Sequence, residues 1–280
     1  MIVPEIAPEV TITSLAKNGK GLCRTQVTAC FISPDNNRKL YCTLECSIEK
    51  TWLLAMERNC RLQNRVKFRL DSVHTSAGNL VLNLGFTTCK DFLGTNCKSL
   101  AEVLCWTNQG LCCYCDRAAY FANPLAVGAL VHTIDDKYIF LRRRKYCCLD
   151  VGYTDRACGF VCPQKALLDP CSCRTLQATC GLNDVIYDAI LNLIDAEMAI
   201  PLNYLGEPEL LGFAQDRSRG WAPSLEFYVN CTLDSERIYF LYSRKQHSLA
   251  CNSTCIILAT WSEMISITSL FFRGLGVGAK

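Results

Sequence analysis

One stretch constrains the fold more than any other: residues 182–201, LNDVIYDAILNLIDAEMAIP. Its apolar residues recur three or four positions apart, which is the spacing of an amphipathic helix that buries one face. These residues are Ile186, Ala189, Ile190, Leu193, Ile194 and Met198. We expect Asn183 or Asp184 to cap the start of the helix and Pro201 to stop it. The simplest interpretation of this stretch is an ordinary helix that packs one face on the core.

The composition is that of a globular protein with a sizeable core. The chain has 280 residues, of which half are apolar and a fifth are charged, so it fits one large domain or a small domain beside a standard one. The formal net charge of +3 is too small to indicate a nucleic-acid partner. The longest basic run, Arg142–Lys145, is either a phosphate site or a solvated strand end.

The sequence does not indicate a membrane or export segment. The best candidate span, 264–278, is short for a membrane helix and contains Arg273. The N-terminal stretch MIVPEIAPEV has no basic region and holds Glu5 and Glu9, which argues against a signal peptide. We therefore expect no membrane partner and a cytoplasmic location, with the nucleus left open.

The chain contains 21 cysteines, an odd and unusually large number. Without an export signal, a disulfide framework is not expected. Residues 112–115 (CCYC) include one Cys-x-x-Cys pair, but no second pair follows at zinc-finger spacing and the chain has only three histidines. We interpret most of these cysteines as reduced, structurally neutral thiols, with a zinc site as the lesser alternative.

The order of predicted elements changes near residue 117. Before it, residues 40–46 are predicted as a strand, a hairpin is centred on 76–79, and 90–96 (KDFLGTN) is a compact turn. After it, the order strand, strand, loop, helix, strand, strand, helix, strand predicts a mixed α/β layout and excludes a Rossmann alternation. We therefore expect a smaller β-rich region over 1–117 and a second domain over 118–280.

Four stretches resemble the Nudix hydrolase family, in its UDP-sugar pyrophosphatase branch. They are 66–70 (VKFRL), 90–96 (KDFLGTN), 120–128 (YFANPLAVG) with 135–143 (DDKYIFLRR), and 211–229 (LGFAQDRSRGWAPSLEFYV). The resemblance runs from about residue 50 to about 260. It implies a Nudix α/β/α sandwich with a mixed sheet, and Mg²⁺-dependent cleavage of UDP-glucose or UDP-galactose to UMP and a sugar 1-phosphate.

The resemblance also implies that the catalytic motif is degenerate. The family motif is G-x5-E-x7-R-E-U-x-E-E-x-G-U, where U is a bulky apolar residue, and its metal-binding glutamates at i and i+4 fall on Leu193 and Glu197. Asn192 stands in place of the arginine and Ala196 in place of the other glutamate. Asp195 cannot substitute, because two residues turn it about 200° around the helix from Glu197. Glu197 alone is left as the catalytic and metal-binding candidate, so Mg²⁺ is expected to bind weakly.

Substrate contacts implied by the resemblance are partly kept. Arg143 is the expected phosphate clamp, Asp155 the acceptor of a sugar hydroxyl, and Gly159 the second of two tandem glycines. At other positions this chain differs from the family. Cys158 stands in place of the first glycine, Phe160 in place of a histidine, Cys162 in place of a glutamate, Cys89 in place of a tyrosine and Gln63 in place of an aromatic residue.

Each retained residue also has a simpler interpretation. Glu197 fits a solvated helix end, Arg143 a strand end and Asp155 a turn. Glu226 alternates with its apolar neighbours, so it faces away from them and is more simply surface-exposed than part of the cleft. Two functions therefore remain open: a weakened UDP-sugar diphosphatase, and a catalytically inactive protein that keeps the fold and a nucleotide-sugar pocket.

Overall fold

The computed structural model describes residues 10–16, 20–76, 79–143, 154–163, 181–245 and 253–263. Its helices are α1 (Cys42–Arg58), α2 (Cys89–Gly94), α3 (Leu100–Tyr114), α4 (Leu182–Met198) and α5 (Ser235–Lys245). Its strands are β1 (Val10–Ser14), β2 (Val27–Phe31), β3 (Val66–Ser76), β4 (Asn79–Thr88), β5 (Ala126–His132), β6 (Tyr138–Arg143), β7 (Thr154–Asp155), β8 (Ala157–Phe160), β9 (Glu209–Asp216), β10 (Ala222–Asn230) and β11 (Ser253–Ala259). None of the described helices is long and apolar enough to cross a membrane.

The larger sheet is mixed. Its strand order is β1-β9-β10-β5-β6-β11, while β7 pairs with β6 and β8 pairs with β5. The central strands β10 and β5 are parallel, and their other neighbours in the sheet run antiparallel. The predicted α/β class, with strands and helices alternating irregularly, is confirmed.

Helix α4 lies between the larger sheet and a smaller sheet of order β2-β4-β3. The ring of Tyr187 packs edge-on to Phe227 of β10 with centroids 5.1 Å apart, and its hydroxyl donates a hydrogen bond to the Leu22 carbonyl at 2.9 Å. One hydrophobic cluster contains residues of both sheets and of α4. Each large apolar side chain buried here contributes about 1.5–3 kcal/mol. The helix therefore joins the two sheets into a common core.

The predicted central helix is confirmed over Leu182–Met198, but its predicted cap is wrong. Gly181 occupies the N-cap position at φ 98°, and no side chain caps the helix there. Asn183 donates instead to the Arg24 carbonyl, at 3.2 Å, because this end of the helix is docked on the N-terminal part of the chain. Ala199, in the left-handed region at φ 61°, ends the helix two residues before Pro201.

The N-terminal region is more helical than its sequence predicts. The expected strand at 40–46 is wrong, because most of it lies in α1, whose buried residues Leu44, Ile48 and Trp52 follow one another every four positions. The expected turn at 90–96 is largely the short helix α2, capped by Thr88, whose hydroxyl accepts a hydrogen bond from the Asp91 backbone. The hairpin at 76–79 is confirmed by the pairing of β3 with β4.

Candidate functional site

Helix α4 meets strand β8 at one close contact. A Cβ placed on Gly159 would lie 3.1 Å from Cδ1 of Leu193, so the leucine packs directly on the glycine backbone. Glu197 follows Leu193 by four residues and therefore lies on nearly the same helix face, about one turn farther on. Its side chain is partly buried. The predicted metal-binding positions thus face β8, but only the second of them carries a carboxylate.

A second cluster lies on the other face of the sheet, away from α4. In β10, Leu225 and Phe227 point towards the core, and Glu226 between them points to the opposite face. Glu226 is paired across the sheet with Gly128, whose other neighbour is Cys158 of β8. The guanidinium of Arg156 lies over Gly128, since a Cβ there would be 2.2 Å from its Nε.

Arg156 is bound to two carboxylates. Its Nε donates to one oxygen of Glu226 at 2.5 Å, its Nη2 donates to the other, and its Nη1 donates to Asp155 at 2.8 Å. Burial lowers the pKa of Arg156, but the charges of Glu226 and then Asp155 outweigh it and hold the pKa above its ordinary value. The arginine is therefore a permanent cation within this cluster.

Asp155 belongs to the same network. Its Oδ1 accepts hydrogen bonds from the backbone and side chain of Arg156, and its Oδ2 accepts one from the thiol of Cys158 at 3.3 Å. The side chain is only 19% exposed. Asp155 thus lies in β7 and is oriented by specific partners, which its interpretation as a turn residue does not explain.

Sequence reasoning missed Arg156 and misjudged Glu226. The expectation that Glu226 is surface-exposed is wrong: its side chain is 25% exposed and holds Arg156. Strand alternation correctly predicts its direction but says nothing about a partner 70 residues away in the chain. The isolated Gly128 within a strand was the available signal, because such a glycine often marks a close approach by another group.

Helix α2 approaches the same sheet face through an aromatic contact. Phe160, at the end of β8, packs edge-on to Phe92 with ring centroids 5.1 Å apart. Next to it, the ammonium of Lys67 donates to the thiol sulfur of Cys162 at 2.9 Å. Cys89 is the first residue of α2. The positions where the family resemblance expects polar substrate contacts are thus occupied by a phenyl ring and by thiols.

The structure places the four predicted site residues on four different elements. Glu197 lies on the helix that covers one face of the sheet, and Gly159 contacts this helix through Leu193. The carboxylate of Asp155 is bonded to Arg156 and Cys158, and its backbone pairs with Leu141 of β6. Arg143 is the last residue of β6, where its backbone pairs with Ser253, and its side chain lies outside the part of the chain that is described.

Proteins with related sequences align over most of this chain. It is 34% identical over 238 residues to uridine diphosphate glucose pyrophosphatase NUDT22 of Homo sapiens, a match that covers 82% of this chain and 77% of the relative. The protein of the same name from Mus musculus is 35% identical over 241 residues, covering 84% and 76%. The chain belongs to the Nudix hydrolase family.

Other comparisons are more distant. Nudix hydrolase 9 of Arabidopsis thaliana is 28% identical over 263 residues, 89% of this chain and 83% of that protein. Among solved structures, a MutT protein from Methanosarcina mazei Go1 is 12% identical with a TM-score of 0.30, covering 51% of this chain and 80% of that one. A Nudix hydrolase from Nitrosomonas europaea is 14% identical with a TM-score of 0.31, covering 52% and 78%. No family model matches the chain.

Nudix hydrolases generally use a divalent metal ion, and the donor set of this member fits one poorly. On α4, Leu193 supplies no ligand atom beside Glu197. Within the described ranges, no group of three or more His, Cys, Asp or Glu side chains could hold a metal ion. The cysteines in these ranges form no such group either. The described residues therefore do not form a metal site made of protein ligands alone.

Proposed function

We propose that this Nudix protein is a weakened hydrolase of UDP-sugars, cleaving the diphosphate of UDP-glucose or UDP-galactose to UMP and a sugar 1-phosphate. In this proposal Glu197 is the catalytic carboxylate and Arg143 holds a phosphate. Asp155 accepts a sugar hydroxyl, and the backbone at Gly159 lines the substrate loop. The name of the mammalian relatives, uridine diphosphate glucose pyrophosphatase, supports the choice of substrate.

The main support for this proposal is the contact of Leu193 of α4 with Gly159 of β8. This contact directs the helix face of Leu193 and Glu197 towards the strand that follows Asp155. In the family motif, this face of the helix holds the two metal-binding glutamates. The same contact supports a weakened hydrolase activity, because an aliphatic side chain takes the position of one of those carboxylates.

Mg²⁺ enters the proposal only as a weakly held ion. Mg²⁺ needs few protein ligands when water and substrate phosphates fill its other coordination positions. Among the described residues, we assign Glu197 as its ligand. When bound, such an ion supplies charge stabilisation at the diphosphate. Losing one of two carboxylate ligands costs several kcal/mol of transition-state stabilisation, on the order of a thousandfold in rate.

The second candidate is a nucleotide-sugar-binding protein without turnover. Two contacts support this candidate. Leu193 packs on Gly159 where the family has a metal-binding glutamate, and Phe160 packs on Phe92 where the family resemblance expects a histidine. These substitutions remove chemical groups while adding apolar packing, so they damage catalysis more than the fold. Binding through the network of Asp155 would survive both.

A paired measurement separates the two candidates. UDP-glucose and UDP-galactose are titrated into the protein by calorimetry with Mg²⁺ present, and UMP release is then followed with the same samples. Mg²⁺-dependent release that is lost in Glu197→Gln and kept in Asp195→Asn supports the hydrolase, because Asp195 lies on another helix face. Binding without release supports the second candidate. Folded protein that neither binds nor cleaves these sugars contradicts both.

A further inference from the structure

Two arginines contact one tryptophan just before β10. The Cζ atoms of Arg117 and Arg217 lie 5.4 and 5.1 Å from the ring centre of Trp221, within the range of a cation–π contact. Arg117 follows the end of α3, and Arg217 begins a short 3₁₀ turn between β9 and β10. The fold therefore brings together side chains that are far apart in the chain. We call these three residues the Arg–Trp–Arg cluster.

The backbone fixes Trp221 in an unusual conformation. Its φ angle is 66°, in the left-handed region that bulky residues avoid. Gly220 before it packs on the ring of Phe121, since a Cβ there would lie 2.2 Å from Cδ1 of the phenyl group. On the same loop, the carbonyl of Arg219 accepts a hydrogen bond from the buried amide of Asn96 at 2.6 Å. The loop is thus anchored from the interior, and this anchoring keeps Trp221 in its strained position.

The two guanidinium groups of the cluster are not paired with a carboxylate. In the part of the chain that the structure describes, their nitrogens form no ion pair and no hydrogen bond. The aspartates next to them in the sequence bind elsewhere. Asp216 accepts from the backbone and the hydroxyl of Ser218 at 2.9 and 2.6 Å, and Asp116 accepts from the backbone of Ala118 at 2.8 Å. Two cations beside one ring repel each other, so an anion that contacts both would be stabilised there.

A second aromatic ring with two arginines shows what is particular to this cluster. On α5, Arg237 and Arg244 lie 5.3 and 5.2 Å from the ring centre of Phe240. They stand three residues before and four residues after the ring on one helix, so helix geometry alone brings them to it. Helix spacing does not explain the Arg–Trp–Arg cluster, where an anchored loop and a separate segment converge. The α5 group is therefore a matched control.

The chemistry of the cluster favours a phosphate group as its ligand. An arginine that packs on an aromatic ring keeps the N–H donors at the edge of its planar fork, and this fork matches the oxygens of a phosphate. We propose that Arg117, Arg217 and Trp221 form a binding site for a phosphate group, carried either by an inorganic phosphate compound or by a nucleotide. None of these residues is assigned to the cleavage of UDP-sugars. The site is thus a second ligand site, independent of the proposed function.

Calorimetric titration with inorganic pyrophosphate, in the absence of Mg²⁺, tests the site. We expect Arg117→Gln and Arg217→Gln each to weaken binding about tenfold or more, because each removes charge-assisted hydrogen bonds. Arg117→Lys keeps the charge but lacks the planar fork, so its affinity should be intermediate. Arg237→Gln, which removes the same charge from the α5 group, should leave binding unchanged. Arg117 is exposed, and equal thermal unfolding midpoints check that its variants are folded.

Further titrations distinguish the ligand sources and the two sites. AMP that binds with the same dependence on Arg117 assigns the site to nucleotide phosphates as well, and binding of pyrophosphate alone assigns it to free phosphates. Pyrophosphate that does not bind, or that binds equally to wild type and Arg117→Gln, overturns the site. Arg117→Gln that weakens UDP-glucose as much as pyrophosphate overturns its independence. Failure of UDP-glucose to bind with Mg²⁺ present contradicts only the proposed function.

Discussion

Leu193 of α4 packs so closely on Gly159 of β8 that a Cβ added to the glycine would lie 3.1 and 3.5 Å from the two methyl carbons of the leucine. The glycine thus supplies room for an aliphatic residue at the position where the Nudix motif has a glutamate. The substituted position, Leu193, and the retained position, Gly159, are therefore physically coupled. This coupling can be measured on stability and on activity separately.

On stability, we expect Gly159→Ala to lower the free energy of unfolding by about 1 kcal/mol. The new methyl group overpacks the contact with Leu193, which outweighs the smaller gain from a stiffer unfolded chain. In a Leu193→Ala background the same change should be neutral or slightly stabilising, because the space is then free. Denaturant unfolding of the four proteins gives the coupling energy. Additive effects would show that the contact carries no strain.

On activity, we expect Leu193→Glu to raise Mg²⁺-dependent release of UMP from UDP-glucose about tenfold or more. The change restores the i, i+4 pair of carboxylates with Glu197, and a second carboxylate strengthens the charge stabilisation that the metal ion provides. Leu193→Gln is the matched control, since it has the same shape without the charge. Activities that are equal in the two variants would mean that Leu193 is not what limits turnover.

The sequence predicted the elements that carry the site better than the site itself. Helix α4 and strands β5, β6, β9 and β10 follow local periodicity, which a single sequence displays directly. The strand predicted at 40–46 failed because the spacing of Leu44 and Ile48 belongs to a helix whose packing partners are distant in the chain. The partnership of Arg156 with Glu226 has no local pattern at all, since it depends on how β8 and β10 flank Gly128.

The segment KDFLGTN is anchored by a buried arginine. Arg38 is 8% exposed and donates to Glu45 of α1 at 2.7 and 2.6 Å and to Asp91 of α2 at 3.0 and 2.7 Å. Burial lowers the pKa of Arg38, but its hydrogen bonds with Glu45 and the charge of Asp91 more than compensate and raise it. The ion pairs therefore tie α2, which carries Phe92, to α1.

We expect Arg38→Ala to lower the free energy of unfolding by about 3 kcal/mol. Removing the cation leaves two carboxylates close together without their partner, and an uncompensated buried charge is costly. Arg58→Ala, at the exposed end of α1, should change stability by less than about 0.5 kcal/mol. Denaturant unfolding measures both. A loss of under about 1 kcal/mol for Arg38→Ala would show that solvent reaches these carboxylates freely.

Helix α3 begins with a reciprocal cap whose strength depends on pH. The hydroxyl of Ser99 donates to the carboxylate of Glu102 at 2.6 Å, and the backbone N–H of Glu102 donates back to the hydroxyl at 3.4 Å. The hydrogen bond from Ser99 is the main cause that lowers the pKa of Glu102, and Lys98 adds to it. A carboxyl whose pKa is lowered on folding stabilises the fold above its unfolded pKa, and this contribution disappears as the pH falls through the folded pKa.

We therefore expect Ser99→Ala to cost about 1 kcal/mol of stability near pH 7 and less as the pH falls through the folded pKa of Glu102. At neutral pH the variant loses both halves of the cap, including the bond to an ionised acceptor. Below the folded pKa of Glu102 its carboxyl is protonated in both proteins, so only the weaker backbone bond still distinguishes them. Ser243→Ala in α5 is the control, because its hydroxyl donates to the Phe240 carbonyl and its effect should not vary with pH. Urea unfolding at several pH values measures the difference, and a cost of Ser99→Ala that is constant across them would contradict the role assigned to the Glu102 carboxylate.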